Sequence, residues 1–286
     1  MELEKYTASL QDKSKNTIRT YVSNYIRMRK HFDKDICDIS NADLIAHINA
    51  QTSSNTKNGF LTMCIQVKRM NDIDITDLLD YREINRVNLL SENKQKNEVL
   101  QDVLPDYGTL VDYTERLFDT GDYEAFVVNF LLLNYHTRNL DLDFDIVTKL
   151  DDALDPNTNY IVIMPKYNLF IRNRYKTASF YGSKSHKIVD DKFMFAIKKI
   201  YQTLKKRDSP DYINPIVPNR KTIGYRIQSF TYKKLGEGNY VKICINHFRD
   251  DLDELKRISE NRGTSINLII SDYDIENVED KIEIKE

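Results

Sequence analysis

Between Ala125 and Leu133 the chain reads AFVVNFLLL, eight apolar residues around a single asparagine. A helix that is apolar on every side belongs in an interior, so the rest of this region must wrap it. The flanking pattern gives helices at Tyr107–Phe118 and Asp122–Asn134, the second carrying the run. Strand-like segments follow: NYIVIM (159–164), NLFIRNRYKT (168–177) and, after a turn at FYGS, KSHKIV (184–189). Gly182 suits that turn because glycine tolerates positive φ. Helical patterning resumes at Asp191–Lys206, with further helices expected at 222–235, 246–260 and 265–273.

The first hundred residues read as helices alone. Ser14 is placed to cap SKNTIRTYVSNYIRMRKHF, where Ile18, Tyr21, Val22, Tyr25 and Met28 recur at helical spacing. Leu44, Ile45 and Ile48 mark a second helix after Asn41. Phe60, Leu61, Cys64 and Val67 mark a third over Thr56–Met70, and a fourth starts near Thr76. The stretch SENKQKNEVLQDVLPDYG loses its apolar period and ends in Pro105 and Gly108, which reads as a linker at 91–104. The expected fold is mainly α: a helical domain at 1–90, then an α+β domain at 105–286 with a small antiparallel sheet.

Several function classes are excluded on pattern. The chain has no glycine-rich phosphate loop, HExxH, CxxC or G-x-S-x-G. Cys37, Cys64 and Cys244 are widely separated and odd in number, which fits buried thiols rather than disulfides or a zinc site. The aspartates of RNLDLDFDIVTKLDD alternate with apolar residues and read as the edge of a strand or helix, so no metal site is expected there. No apolar run reaches the roughly 18–20 residues that span a bilayer, and the charged N-terminus lacks a secretory signal. An intracellular setting (cytoplasm, nucleus or a viral compartment) and no membrane partner are expected.

Net charge is −2, but the charges are unevenly spread. Lys13, Lys15, Arg19, Arg27, Arg29, Lys30 and Lys34 face one acid, Asp33, over residues 13–34, whereas Asp274–Glu286 is strongly acidic. A basic N-terminal face fits contact with nucleic-acid phosphates; a merely solvated helix face gives the same pattern.

The chemically informative residues are basic side chains in a fixed order, ending in a tyrosine. LLLNYHTRNLDL places Arg138 just after the buried helix, with Asp141 three residues on. RNRYKTASFYGSK puts Lys176 where the second strand of a hairpin meets its turn. KICINHFRDD offers Arg249, and RGTSINLIISDY sets Tyr273 nine residues after Thr264. This order resembles the tyrosine recombinases: an arginine after a hydrophobic helix with an acid at +3, a hairpin lysine, an H-x-x-R box, then a G-H-S…Y signature. Gly263 and Ser265 match that signature, and Ser14, Thr17 and Tyr21 match an S-x-x-T-x-x-x-Y start to the family's helical core-binding domain. The resemblance covers nearly the whole chain and implies strand cleavage through a covalent 3′-phosphotyrosine, with Tyr273 as nucleophile and Lys176 as general acid. No metal or cofactor is implied.

Elementary chemistry supports the set. Attack on a phosphodiester spreads charge over the non-bridging oxygens, and two arginine forks bind them bidentately as lysine does not. Such positioning and charge stabilisation dominate phosphoryl transfer. The covalent link conserves bond energy, so strands rejoin without ATP. The chain departs from the family at its histidines. Asn246 holds the first histidine position, with His247 beside it but turned by about 100° on a helix. Thr264 holds the second and cannot shuttle a proton at neutral pH. The interval from Arg249 to Tyr273 is also short for the family. These departures imply slowed proton transfer with phosphate binding retained.

The expected partner is double-stranded DNA, held through Lys13, Lys15, Arg19, Arg27 and Lys57 in the first domain. The resemblance further implies a clamp of two domains and a homotetramer on DNA. Type IB topoisomerases use similar chemistry, although a helical first domain favours a recombinase, in keeping with an Asn-, Ile- and Lys-rich composition of the viral or mobile-element kind. A DNA-binding relative that has lost catalysis and a helical interaction module remain the alternatives.

Overall fold

In a computed structural model, residues 3–150, 155–205, 216 and 223–273 are described. The expected acidic segment Asp274–Glu286 lies outside them. The chain divides into two compact units, Met1–Asn97 and Glu98–Glu286.

The first unit is helical: α1 (Leu3–Ala8), α2 (Lys15–Phe32), α3 (Asn41–Asn49), α4 (Ser54–Arg69) and the greater part of α5 (Thr76–Gln101). Three serines start three of these helices. Ser14, Ser40 and Ser53 accept from the N–H of Thr17, Asp43 and Thr56 at 3.2, 3.1 and 3.2 Å, each satisfying an otherwise orphaned donor. The core gathers Tyr6, Tyr25, Met28, Leu44, Ile48, Phe60, Leu61, Cys64, Val67 and Leu78. Lys68 is buried there because its ammonium donates to the carbonyl of Ile39 at 2.6 Å.

The expected linker at 91–104 is corrected: α5 continues unbroken to Gln101. Its residues 91–98, SENKQKNE, contain neither Gly nor Pro, and the loss of an apolar stripe marks a solvated helix rather than a loop. Glu92 ties this stretch down, accepting from Ser54 Oγ at 2.5 Å.

The second unit contains α6 (Tyr107–Asp119), α7 (Tyr123–Tyr135), β1 (Phe144–Val147), β2 (Asn159–Ile163), β3 (Asn168–Arg172), α8 (Ala178–Tyr181), β4 (Lys184–Ile188), α9 (Asp191–Lys205), α10 (Ile223–Phe230), α11 (Glu237–His247), α12 (Leu252–Arg262) and α13 (Ile266–Tyr273). As its sequence requires, α7 is the central helix, with Phe126, Val127, Val128, Leu131, Leu132 and Leu133 at most 3% exposed. The one polar residue of the run, Asn129, is fully satisfied. Its amide donates to the carbonyls of Ala125 and Phe230 at 2.7 and 2.9 Å, and its oxygen accepts from Tyr240.

The sheet has the order β1-β2-β3-β4, with β2–β3 and β3–β4 antiparallel and β1–β2 parallel. It is therefore mixed rather than purely antiparallel. The added strand, β1, comes from the acid-alternating segment, whose reading as the edge of a strand or helix is settled as a strand. Its acids are buried: Asp141 pairs with Arg172 at 3.7 Å and Asp143 with Arg174 at 3.4 Å. The expected helix 246–260 is instead two helices. α11 stops at His247, and Asp251 caps α12 by accepting from the N–H groups of Asp253 and Glu254 at 3.1 and 3.0 Å. Mainly helical content with one small sheet is the architecture expected from the sequence.

Candidate phosphate site at the end of helix α12

The last carbonyls of a helix have no partner within it and carry the negative end of its dipole. At the end of α12 three successive carbonyls each receive a cation. Glu260 O accepts from Lys184 Nζ, Asn261 O from Arg172 Nη2, and Arg262 O from Arg138 Nη1, the last at 2.6 Å. The three cations arrive from different elements. Lys184 is the first residue of β4 and Arg172 the last of β3. Arg138 follows α7, which His136 terminates in the left-handed region at φ 48°.

Arg262 closes the cluster. Its Nη1 donates to His136 O at 3.3 Å and its Nη2 lies 3.4 Å from Glu237 Oε1. Arg138 and Arg262 thus interlock, each guanidinium bonded to a carbonyl at or near the other's backbone. Asp141 fixes the turn that presents Arg138, accepting its backbone N–H at 2.8 Å while facing Arg172. Glu237, the first residue of α11, also accepts from the N–H of Asn139.

Burial shapes the electrostatics. It lowers the pKa of Arg138, with the neighbouring Arg262 guanidinium adding to the effect. It lowers that of Lys184, with Arg172 adding. Burial also raises the pKa of the Asp141 carboxyl, against the pull of Arg172. Four cations surround the carboxylates of Asp141 and Glu237, with Glu260 on the exposed rim. Among the described residues, no hydrogen-bond partner meets Arg172 Nε and Nη1 or Arg262 Nε, although both arginines are at most 2% exposed. Guanidinium donors are suited to an anion with several oxygens. Of the three arginines here Arg138 is the one only partly buried, while the unpartnered atoms of Arg172 and Arg262 lie in the interior.

Tyr273 ends α13 beside this cluster, its ring centre 5.4 Å from Arg262 Cζ. The intervening Gly263-Thr264-Ser265 makes the corner. Gly263 caps α12 at φ 57°, Thr264 O accepts from Ser259 Oγ at 2.6 Å, and Ser265 Oγ accepts the N–H of Leu268 at 3.2 Å. A side chain at Gly263 would collide with Thr177 Oγ1, so the β3–β4 connection rests directly on this corner. Lys176, next to Thr177, is exposed.

The expected set is therefore gathered only in part. Arg138, Asp141, Thr264 and Tyr273 lie at or beside the cluster, and Lys176 is on its rim. Asn246, His247 and Arg249 come at and beyond the end of α11. Glu237 at the start of α11 touches the cluster, and Asn246 is nine residues further on, about 14 Å along the helix axis. Arg249 follows α11 and precedes α12, whose far end carries Arg262. His247 stacks on Tyr107 instead, with ring centres 4.3 Å apart and planes at 8°. The arginine packed on Tyr273 is Arg262, eleven residues before it. Arg172, Lys184 and Glu237, like Arg262, were not singled out from sequence. The one local signal for Arg262 was its place in the last turn of a helix, immediately before a capping glycine.

In the first unit, Lys15, Arg19 and Arg27 are exposed on α2. Lys13 pairs with Asp12 at 2.6 Å, Arg27 Cζ sits 4.9 Å over the Phe60 ring, and Lys57 Nζ donates to Asn49 Oδ1 at 3.3 Å. No helix among the described residues is long and apolar enough to cross a membrane. Compared with known proteins, the chain matches no family model, no curated protein and no solved structure.

Proposed function

We propose that this chain is a DNA strand transferase of the tyrosine-recombinase kind, which cleaves and rejoins duplex DNA through Tyr273. The reading is carried by one observation above all: Arg262 lies against the Tyr273 ring while its own carbonyl holds Arg138. Two arginine forks and a tyrosine hydroxyl at one place are what in-line attack on a phosphodiester requires.

In the proposed step, Tyr273 Oη bonds to phosphorus and the bond from phosphorus to the 5′-oxygen breaks. Arg138 and Arg262 hold the non-bridging oxygens as charge develops there. A lysine, Lys176 by family resemblance or the more enclosed Lys184, protonates the departing 5′-oxygen. The tyrosine proton passes to solvent, because Thr264 cannot accept it at neutral pH. The reverse steps rejoin the strand.

A second reading, a DNA-binding relative with impaired catalysis, is favoured by Glu237, whose carboxylate already faces Arg262. Incubation with nicked duplex substrates separates the two. The transferase gives a protein–DNA adduct that survives denaturant and disappears in Tyr273→Phe; the impaired relative binds the same duplex without one.

A further inference from the structure

From Pro165 to Val189 the chain carries Lys166, Arg172, Arg174, Lys176, Lys184 and Lys187 and not one acid, within a protein of net charge −2. Aromatic residues interleave with these cations: Tyr167, Phe170, Tyr175, Phe180 and Tyr181. Most are engaged. Phe170 and Tyr175 are buried, Lys187 Nζ sits 4.6 Å over the Tyr167 ring, and Lys184 Nζ sits 5.3 Å over that of Tyr181. Phe180 is the exception. At 86% it is the most exposed of the large apolar side chains among the described residues.

Its exposure is built in rather than a result of slack. Tyr175 Oη donates to Gly182 O at 2.7 Å, closing the base of the connection, and Gly182 N–H donates to Ala178 O at 2.9 Å. A Cβ on Gly263 would stand 3.2 Å from Tyr181 Cδ2, so Tyr181 rests on the corner that leads to Tyr273. Consecutive residues of a helical turn point about 100° apart, so with one edge of the half-exposed Tyr181 ring against Gly263, Phe180 is turned away from that corner into solvent. The result is a pinned turn that presents a bare aromatic ring four residues from Lys176 and four from Lys184 in sequence, in the connection whose Thr177 and Tyr181 rest on Gly263.

An aromatic ring among cations is the arrangement that stacks on nucleic-acid bases while the cations hold phosphates. We infer that Phe180 is a stacking wedge, inserted against a base of duplex DNA next to the phosphate held by Arg138 and Arg262. The cationic surroundings select DNA over an apolar protein surface. The inference rests on the DNA-binding reading above and adds to it a residue that grips bases rather than phosphates.

The chain has no tryptophan, so Phe180→Trp gives the full-length protein a single indole at the wedge. The variant is titrated with a mixed-sequence duplex and with heparin, which carries charge but no bases; Tyr225→Trp, at an exposed site on α10, is the control. The expected result is quenching of the Phe180→Trp emission by duplex alone, and no quenching of the control. Phe180→Ala weakens duplex affinity about tenfold with an unchanged salt slope. If labelled duplex binds but the indole stays unquenched, the wedge is overturned and the DNA reading stands. If no duplex binds, both fall. Emission changes that depend on protein concentration without DNA assign Phe180 to a protein contact and overturn the wedge.

Discussion

Arg262 Cζ stands 5.4 Å from the centre of the Tyr273 ring, and the carbonyl of the same residue accepts from Arg138 Nη1 at 2.6 Å. One residue at the end of α12 therefore orders both of its functional neighbours, one through its side chain and one through its backbone. The carbonyls just before it do the same for Arg172 and Lys184. A helix terminus thus serves as the assembly point for a cationic cluster drawn from α7, β3 and β4. The bonds to carbonyls leave Arg172 Nε and Nη1 and Arg262 Nε buried without a hydrogen-bond partner among the described residues.

The first prediction separates the two candidates for second arginine. Arg262→Ala and Arg138→Ala each lower DNA strand cleavage by about 100-fold or more, the scale of losing a transition-state donor. Arg249→Ala leaves cleavage near wild type. Single-turnover cleavage measures this, with thermal melting of each variant to separate chemistry from folding. Loss of cleavage in Arg249→Ala alone would restore the arginine expected from sequence.

Arg172 is fully buried and faces the buried Asp141 carboxylate. Arg172→Met strands that carboxylate and costs about 3–5 kcal/mol of stability. Adding Asp141→Leu removes the stranded charge and restores part of the loss. Urea denaturation of the two variants checks this; a double variant less stable than the single would contradict it.

Lys184 and Lys176 compete for the role of proton donor. Its enclosure, which brings its pKa down, favours Lys184. Lys184→Ala slows cleavage of an ordinary duplex but not of one carrying a 5′-bridging sulfur, because a thiolate leaves without a proton. Lys176→Ala shows less of this rescue. The opposite pattern assigns the proton to Lys176.

One buried histidine, His136, and one half-buried, His186, give stability a pH dependence of known sign. Burial, aided by nearby arginines, pushes His136 down to about 3, and burial with Arg172 and Lys184 pushes His186 down to about 4. An unfolded histidine titrates near 6.5. Between these values the unfolded chain binds more protons than the folded one, so stability rises with pH. It is complete above about pH 6.5, falls as the pH drops, and this loss levels off below about pH 3. The urea midpoint at pH 5 should lie below that at pH 7.5, and His186→Gln should flatten the difference. A midpoint that does not move would contradict the account.

The sequence made visible whatever depends on local pattern. The capping serine Ser14, the strands at 159–163, 168–172 and 184–188, the buried α7 and the helix ending at Tyr273 all follow from spacing within a few residues. β1 was hidden because Asp143 and Asp145 point inward, and the cations that balance such acids lie far along the chain, as Arg174 does for Asp143. The polar end of α5 passed for a linker because a solvated helix has no apolar stripe. The boundary between α11 and α12 was hidden for a comparable reason: the Asp251 cap breaks the expected helix, and the α11 end that reaches Arg262 is the one carrying Glu237. Arg172, Lys184 and Arg262 acquire their meaning only from the carbonyls of α12, which no local pattern reveals.

The central claim concerns Tyr273, and mapping the covalent bond tests it most directly. After incubation with a nicked duplex, nuclease and trypsin digestion should yield the peptide Gly263–Lys281, in which Tyr273 is the only tyrosine, carrying the mass of a 3′-linked nucleotide. Arg138→Ala should strongly reduce it, and Tyr273→Phe should abolish it. Arg262→Ala should equally reduce the adduct on its own tryptic peptide, which starts at Ile258 because the cleavage site at 262 is gone. An unmodified peptide from wild-type protein that demonstrably binds the duplex, or a nucleotide on another residue, would contradict the assignment.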